Sequence, residues 1–464
     1  MRDHGMRLPE RSLGLVVCAE RFVVFGGDVM EHRVAAQLHS LLQDDITAAV
    51  IACFVKRITV VVEEAEIFGQ GAVQPFAVFD ESREVFAERR EQLREWAARQ
   101  AAVEKSWRSE HKDLARKLDD YFSGKLPEID YKTIEVKPDV ATRAASAAVL
   151  GVYAEKVGNM IVSSADLSNS DKTDGFLKKT RPIVKGDFTG QFLQAGVSEL
   201  TMACVMNGMA LHGGVIPACG TFFVFSDYMK PSVRLSALMR LHVIYVWSHD
   251  SFRVGEDGPT HQPVEQEMQI RLMEHLKNHR GERSMVVLRP ADGDEAVMAW
   301  KLALEEQRPV ALVLSRQNIR SLKAMGSTSR REEAMQAAKG GYVVMDAAKP
   351  AAVLIASGSE VSTLVEGAEQ LAAEGIAVRV VSVPSEGLFR DQPRSYQESV
   401  LPAGVPRYGL TSGLPVTLRG LVGENGTIHG LDHFGYSAPF KVLDEKFGYN
   451  GATVAAEVKK MLGR

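Results

Sequence analysis

The rhythm of apolar and polar positions changes three times along the chain. From Asp80 to Phe122, apolar residues at Val85, Leu93, Trp96, Val103, Trp107, Leu114 and Leu118 recur at spacings of three, four, seven and eight among Glu, Arg and Lys. That period belongs to helices with one apolar stripe, and their charged face is solvated surface. Gly124, Pro127 and Pro138 punctuate the chain next. Beyond them, apolar runs at Met160–Ser164, Val243–Trp247, Met285–Leu288 and Val310–Ser315 predict strands. Helical stretches are expected between them at Val197–His212, Met229–Leu241, Val264–Lys277 and Glu295–Glu306. A second series starts near Gly340, with strands expected at Ala351–Ala356, Ala377–Val383 and Leu418–Gly423 and helices at Glu360–Glu374 and Ala452–Leu462. The polar run Met325–Lys339 between the two series reads as a linker.

Strand–helix alternation implies parallel pairing, because each crossover helix must cover a sheet face. Upstream, Leu13–Phe25, Val34–Leu42, Ile46–Val55 and Ile58–Val62 suggest a short α/β-like segment ending in Gly69-Gln70-Gly71. The expected fold class is therefore α/β: two open, mostly parallel α/β sheet domains preceded by a helical linker and a short N-terminal segment. The boundaries fall at 1–73, 74–137, 138–325 and 338–464.

Composition narrows the function classes. A chain of 464 residues holds about three domains at ~150 residues each. With 45% hydrophobic and 25% charged residues it has the balance of a globular protein, which excludes disorder and collagen. Its net charge of −4 argues against nucleic acid as a partner. The four cysteines, Cys18, Cys53, Cys204 and Cys219, form no C-x-x-C pair and no disulfide framework, so a reducing, cytoplasmic setting is expected. Leu13–Cys18 is shorter than the apolar core of a signal peptide. Ile46–Val62 is interrupted by Lys56 and Arg57, so no membrane span is expected there.

Chemistry concentrates in one loop. Directly after the expected strand Val243–Trp247 the chain reads Ser-His-Asp-Ser-Phe-Arg-Val-Gly-Glu-Asp-Gly-Pro-Thr-His-Gln-Pro, from Ser248 to Pro263. Ligands in open parallel sheets bind beyond the carboxyl ends of the strands. His249, Asp250, Glu256, Asp257 and His261 are ionisable groups at such a place. A lone loop histidine is ordinarily surface; this density marks a site. A metal centre is disfavoured, because the two histidines are twelve residues apart with no third nearby.

The same loop closely resembles the transketolases, and further ordered matches extend the resemblance from about Pro75 to the C-terminus. They are Ser164-Ala165-Asp166-Leu167, Gly220-Thr221-Phe222-Phe223-Val224-Phe225-Ser226-Asp227-Tyr228, Arg289-Pro290-Ala291-Asp292, Ser315-Arg316-Gln317-Asn318, Ala356-Ser357-Gly358-Ser359-Glu360-Val361 and Gly430-Leu431-Asp432-His433-Phe434-Gly435. The resemblance implies two-carbon ketol transfer between sugar phosphates with thiamine diphosphate and Mg2+. Glu199 matches the carboxylate facing the aminopyrimidine, where it places a proton on the ring nitrogen. Phe222, Phe225 and Tyr228 match that ring's pocket, where stacking adds ~0.5–1.5 kcal/mol. Asp166 and Leu167 match residues beside the thiazolium. Arg143, Ser170, His249 and Arg316 match holders of the substrate phosphate, for which an arginine fork is suited. Asp257 and His261 match groups near the sugar hydroxyls and carbonyl, with His261 a proton-transfer residue. Read without the resemblance, Arg143 is an exposed helix residue, the aromatics are core, and Glu199 is a helix N-terminal carboxylate.

One part of the family pattern has no counterpart. The chain contains no Gly-Asp-Gly, and no Asn precedes Asn159, so the motif that holds Mg2+ and diphosphate is not expected in residues 1–73. Ser198 and Leu200 also flank Glu199 where many relatives carry Arg before and His or Phe after. The resemblance therefore implies a homodimer or a hetero-oligomer with a diphosphate-binding subunit. Alternatives are a truncated inactive transketolase, a non-catalytic scaffold, a deoxyxylulose-phosphate synthase or the β-type subunit of a 2-oxoacid dehydrogenase. The phosphate-binding arginine and the Gly-Glu-Asp-Gly-Pro-Thr-His string favour a ketose substrate.

Overall fold

The computed structural model describes residues 80–464, with side chains from Arg89 onward. The apolar stretches expected in residues 1–73, Cys18, Cys53 and the Ile46–Val62 run lie outside the described residues. The described chain falls into two compact units, the first ending at Lys125 and the second running from Leu126 to Arg464.

In the first unit the period-seven stripe forms two helices, Asp80–Glu110 and Lys112–Phe122. Trp107 and Ala115 are buried with Leu118 packed against them, and Arg108 bridges the turn to Glu104 at 2.7 Å and Asp119 at 2.9 Å. Leu93, Val103 and Leu114 remain exposed, as a narrow stripe with a solvated face requires.

The second unit contains two sheets. Its strands are β1 (Met160–Ser164), β2 (Phe192–Gln194), β3 (Ile216–Phe222), β4 (Ile244–Ser248), β5 (Val286–Leu288), β6 (Val310–Leu314), β7 (Tyr342–Met345), β8 (Val353–Ala356), β9 (Arg379–Ser382), β10 (Arg407–Leu410) and β11 (Thr427–His429). The first sheet has the order β2-β1-β3-β4-β6-β5 and every pairing in it is parallel. The second has the order β11-β10-β8-β9-β7, parallel except for the antiparallel edge strand β7. Both are α/β sheets with apolar clusters on each face. The fold class read from the sequence holds.

The short strands β2, β7, β10 and β11 were not expected from the sequence, and local readings differ at four further places. Leu418–Gly423 is not a strand: Arg419–Val422 is a helical turn ending at Gly423 with φ 86°. Leu418, Leu421 and Val422 sit at i, i+3 and i+4, a spacing too short to separate helix from strand by pattern alone. The helix expected over Val264–Lys277 spans only Gln266–His275, and a Lys277–Arg283 bridge closes the following turn. The polar run 325–339 is built into the fold, with Ser329 capping the helix Arg330–Ala334 and Arg330 ion-paired to Asp292 at 2.8 Å and Glu295 at 3.1 Å. Finally, β3 begins four residues before the string read as an aromatic loop, and all seven of its residues are buried.

Strand order places the site. The chain steps from β1 outward to β2 and then back across to β3, so a crevice opens between the carboxyl ends of β1 and β3.

Candidate functional site

Four strands of the first sheet deliver residues to that edge. Asp166 and Leu167 follow β1, the Phe222–Tyr228 segment follows β3, His249 follows β4, and Arg316 follows β6. Glu199 opens the helix Glu199–His212, and Arg143 lies in the first turn of the helix Thr142–Lys156.

His249 is the centre of the cluster. Its backbone takes φ 63°, a left-handed conformation that costs a non-glycine residue of order 1–3 kcal/mol and persists where the surroundings over-determine it. The ring stacks on Phe222 with centroids 3.6 Å apart and planes 27° apart. Nδ1 lies 2.8 Å from Ser248 Oγ and Nε2 lies 3.5 Å from Arg143 Nη1. A guanidinium only donates, so this network assigns Nε2 as acceptor and Nδ1–H as donor in a neutral ring. Burial, followed by the charges of Arg143, Arg316 and His261, pushes the imidazole down to about 2.

Arg143 donates to the Ser170 carbonyl and lies 3.5 Å from Ser170 Oγ. Burial and the neighbouring Arg316 both disfavour its charge. Two guanidiniums, a neutral imidazole and a hydroxyl thus converge on one corner, a donor-rich set with excess positive charge that suits an oxyanion.

The aromatic wall adjoins this corner. Phe222 and Phe225 lie 5.9 Å apart with planes 13° from parallel, and His261 meets them edge-on at 6.3 and 5.4 Å. Tyr228 continues the row 6.1 Å from Phe225 and is largely exposed. Glu199 is buried, and Thr221, next to Phe222, directs its hydroxyl toward Glu199 Oε1 at 3.5 Å. The aromatic face thus adjoins the donor-rich corner through the His249–Phe222 stack, and Thr221 links the buried Glu199 carboxyl to the same strand.

Other expected residues stand apart. Asp166 is exposed with φ 63°, and Leu167 is held by its N–H donating to Ser164 Oγ at 3.1 Å. Asp257 and Glu256 are exposed on the loop. Asp250 turns away from the crevice and accepts from Arg289 Nη2 at 2.8 Å. It is a structural anchor rather than a site group.

Residues without a sequence signal for chemistry hold the site in place. Arg289 and Arg253 bind the 249–254 segment to the second sheet through Glu360, Asp444, Ser357, Ser359 and Ser412. Gln262 Nε2 donates to Gly255 O at 2.8 Å and to Tyr436 O at 3.0 Å, bracing the loop against 430–439. The expected Gly430–Gly435 motif acts here through packing.

Two other features carry less weight. A cavity of about 390 Å3 opens at the opposite, amino-terminal edge of the first sheet. Three of its arginines are matched, Arg240 by Glu282, Arg283 by Asp391 and Arg308 by Glu306, so little charge is left for a ligand. Among the described residues, no group of three or more His, Cys, Asp and Glu is placed to hold a metal, and no helix is long and apolar enough to cross a membrane.

Known proteins resemble the chain over most of its described length. The transketolase pyrimidine-binding domain matches residues 138–321, and the transketolase-like C-terminal domain matches residues 340–450. The chain is 41% identical over 377 residues to a transketolase of Geobacillus stearothermophilus, covering 80% of this chain and 53% of that protein. It is 40% identical over 385 residues to the Bacillus subtilis transketolase, covering 81% and 54%. The chain spans about half the length of the curated relatives it matches. Among solved structures, transketolase from Leishmania mexicana superposes with a TM-score of 0.73 at 32% identity, covering 85% of this chain and 56% of that one. A split gene transketolase described as an inactive beta4 tetramer shares the fold, with a TM-score of 0.54 at 23% identity over 70% of this chain and 99% of that one.

Proposed function

Since the chain belongs to the transketolase family through its pyrimidine-binding and C-terminal domains, we propose that it supplies the ring-gripping half of a thiamine diphosphate site and takes part in ketol transfer between sugar phosphates. One observation carries the reading: the His249 ring stacks on Phe222 at 3.6 Å while its Nε2 faces Arg143, so aromatic wall and oxyanion corner form one crevice.

The residues present fit the organic part of the cofactor. Phe222, Phe225 and Tyr228 offer a flat apolar face to the aminopyrimidine, and Glu199 is buried beside it to hold a proton at a ring nitrogen. When bound, thiamine diphosphate supplies a nucleophilic thiazolium carbon that can take up and return a two-carbon unit. Asp166 and Leu167 line the approach to that carbon. Arg143, Ser170, His249 and Arg316 grip the sugar phosphate at the far end, which fixes the distance from phosphate to reacting carbonyl. His261, edge-on to both phenylalanines, moves a proton at the substrate oxygen, and Asp257 orients a hydroxyl from the loop.

The diphosphate and its Mg2+ are assigned to a diphosphate-binding domain contributed by a different polypeptide, in a hetero-oligomer in the cytoplasm. The sequence offers no Gly-Asp-Gly for them. Nucleic acid and membranes have no role in this reading.

The test is reconstitution. Calorimetry on the chain alone should detect no Mg2+-dependent thiamine diphosphate binding. Addition of a chain carrying the Gly-Asp-Gly and Asn motif should produce transfer from xylulose 5-phosphate to ribose 5-phosphate, and Glu199→Ala should abolish it. Wild-type turnover in that variant removes the catalytic assignment. No transfer from the correctly assembled complex favours an inactive relative.

A further inference from the structure

Beneath the oxyanion corner lies a carboxyl that the proposed reaction does not use. Asp171 is fully buried at the end of the short helical turn Ser168–Asp171. Its Oδ2 accepts from Ser164 Oγ at 2.7 Å, and its Oδ1 accepts from both the Thr173 N–H at 2.8 Å and the Thr173 hydroxyl at 2.7 Å. Ser164 ends β1 and also receives the Leu167 N–H at 3.1 Å. One side chain therefore ties both ends of the 165–173 turn to the strand beneath it.

That turn is held in a demanding shape. Asp166 and Lys172, at its two ends, take φ 63° and 71°, the left-handed region that side chains rarely adopt. The N–H groups of Ser170 and Asp171 both donate to the Leu167 carbonyl, at 2.7 and 2.8 Å. This directs the Ser170 carbonyl outward, where Arg143 donates to it. Room for the carboxyl comes from Gly220 on β3. A Cβ there would meet Thr173 Cγ2 at 2.6 Å and Asp171 Oδ2 at 2.7 Å.

We infer that Asp171 is a positioning residue of the oxyanion corner: through Ser164 and Thr173 it fixes the turn whose Ser170 carbonyl orients the Arg143 guanidinium. The inference rests on the reading of Arg143, His249 and Arg316 as that corner. Asp171 acts on the ligand through Arg143 alone.

Shape and charge then pull in opposite directions. The turn needs acceptors at Asp171, which an amide oxygen supplies to Thr173 as well as a carboxylate does, while the amide nitrogen can donate to Ser164 Oγ. The negative charge, by contrast, offsets Arg143 and so opposes an incoming anion. Burial raises the Asp171 carboxyl to about 6, against the pull of its Ser164 and Thr173 hydrogen bonds. The groups facing it are Arg143, Asp174 and the Cys219 thiol. Protonation near that pH removes the offsetting charge and tightens anion binding.

Equilibrium dialysis of the full chain with radiolabelled sulfate, whose charge is constant from pH 5 to 8, reads these effects. Arg143→Ala should lose sulfate binding; if it does not, the corner itself is misread and the inference falls with it. With Arg143 shown to matter, Asp171→Ala should weaken sulfate at least tenfold at pH 7.5 with an unchanged circular dichroism spectrum. Asp171→Asn should bind at least as tightly as the wild type and lose the part of the pH dependence centred near 6. Should Asp171→Ala fail to fold, Thr173→Val, which removes one of the bonds to Oδ1, should weaken sulfate about threefold. Unchanged binding in a folded Asp171→Ala or in Thr173→Val overturns the inference, as does an Asp171→Asn variant as weak as the alanine.

Discussion

Replacing Arg289 by methionine strips the cation from the junction between the two sheets. The guanidinium is 1% exposed and lies 2.8 Å from Asp250, 2.5 Å from Glu360 and 3.4 Å from Glu267. It also donates to the Ser357 carbonyl at 3.1 Å and Ser412 Oγ at 3.0 Å. The loss is unevenly spread. Glu360 keeps Arg253 at 3.2 Å and Glu267 keeps Arg271 at 3.4 Å. Asp250 has no such second cation among its described ion pairs, and its Oδ1 already has no hydrogen-bond partner. Breaking a buried pair from one side costs ~3–5 kcal/mol, because an uncompensated charge stays behind. Arg289→Met should therefore lose about that much in urea titrations followed by tryptophan emission. Asp250→Asn should recover part of it: a double-mutant cycle should give a coupling of ~1.5–3 kcal/mol. The 430–439 brace and the His249–Phe222 stack should loosen too, since Asp250 adjoins the left-handed His249. A loss below ~1 kcal/mol, or simple additivity, refutes the argument that Asp250 depends on this cation.

Three further outcomes follow from the structure. His429 presents Nδ1 to Glu457 at 3.0 Å and Nε2 to the Phe447 carbonyl at 2.9 Å, and the Glu457 bond and charge raise its pKa against the effect of burial. Its contribution should be complete below the ordinary histidine value and vanish as pH rises through the raised one, so His429→Gln should flatten the alkaline side of the stability profile. His249 has the opposite sign: held down to about 2, it leaves the unfolded chain to take up the proton first, so acid unfolding should steepen by ~1.4 kcal/mol per pH unit below ~6.5. His249→Phe should remove that component. Gly220→Ala should cost ~1–3 kcal/mol and weaken sulfate binding, because the added carbon has no room beside Thr173 and Asp171.

Much of the fold was legible because burial on both faces writes near-continuous apolar runs. Met160–Ser164 matches its strand end for end, and Val310–Ser315 misses by one residue. Five strands were not legible, β2, β3, β7, β10 and β11; the one that builds the site is β3, Ile-Pro-Ala-Cys-Gly-Thr-Phe, in which proline and glycine argue against a strand. Packing overrides propensity there: Gly220 is present for Asp171, which no local pattern discloses. The Arg330 anchor was equally hidden, since an arginine in a polar run looks solvated until Asp292 and Glu295 appear beside it.

The charged loop after β4 shows where reading by composition stops. His249, Asp250 and Arg253 are close neighbours, yet their side chains serve different ends. Ser248 closes the strand, and the left-handed step at His249 turns its ring into the crevice while sending Asp250 to Arg289. Arg253, three residues after Asp250, donates at 2.6 Å to Asp444 in the helix Phe440–Phe447 and at 3.0 Å to Ser359 at the start of the helix Glu360–Ala373. A count of ionisable residues marks the loop but cannot divide it, because the division depends on one backbone angle and on partners 39 to 191 residues away. Those partners explain why the C-terminal domain matters to a site built on the first sheet. Its glutamate and aspartate neutralise the arginines that hold His249 in a conformation the residue would otherwise leave.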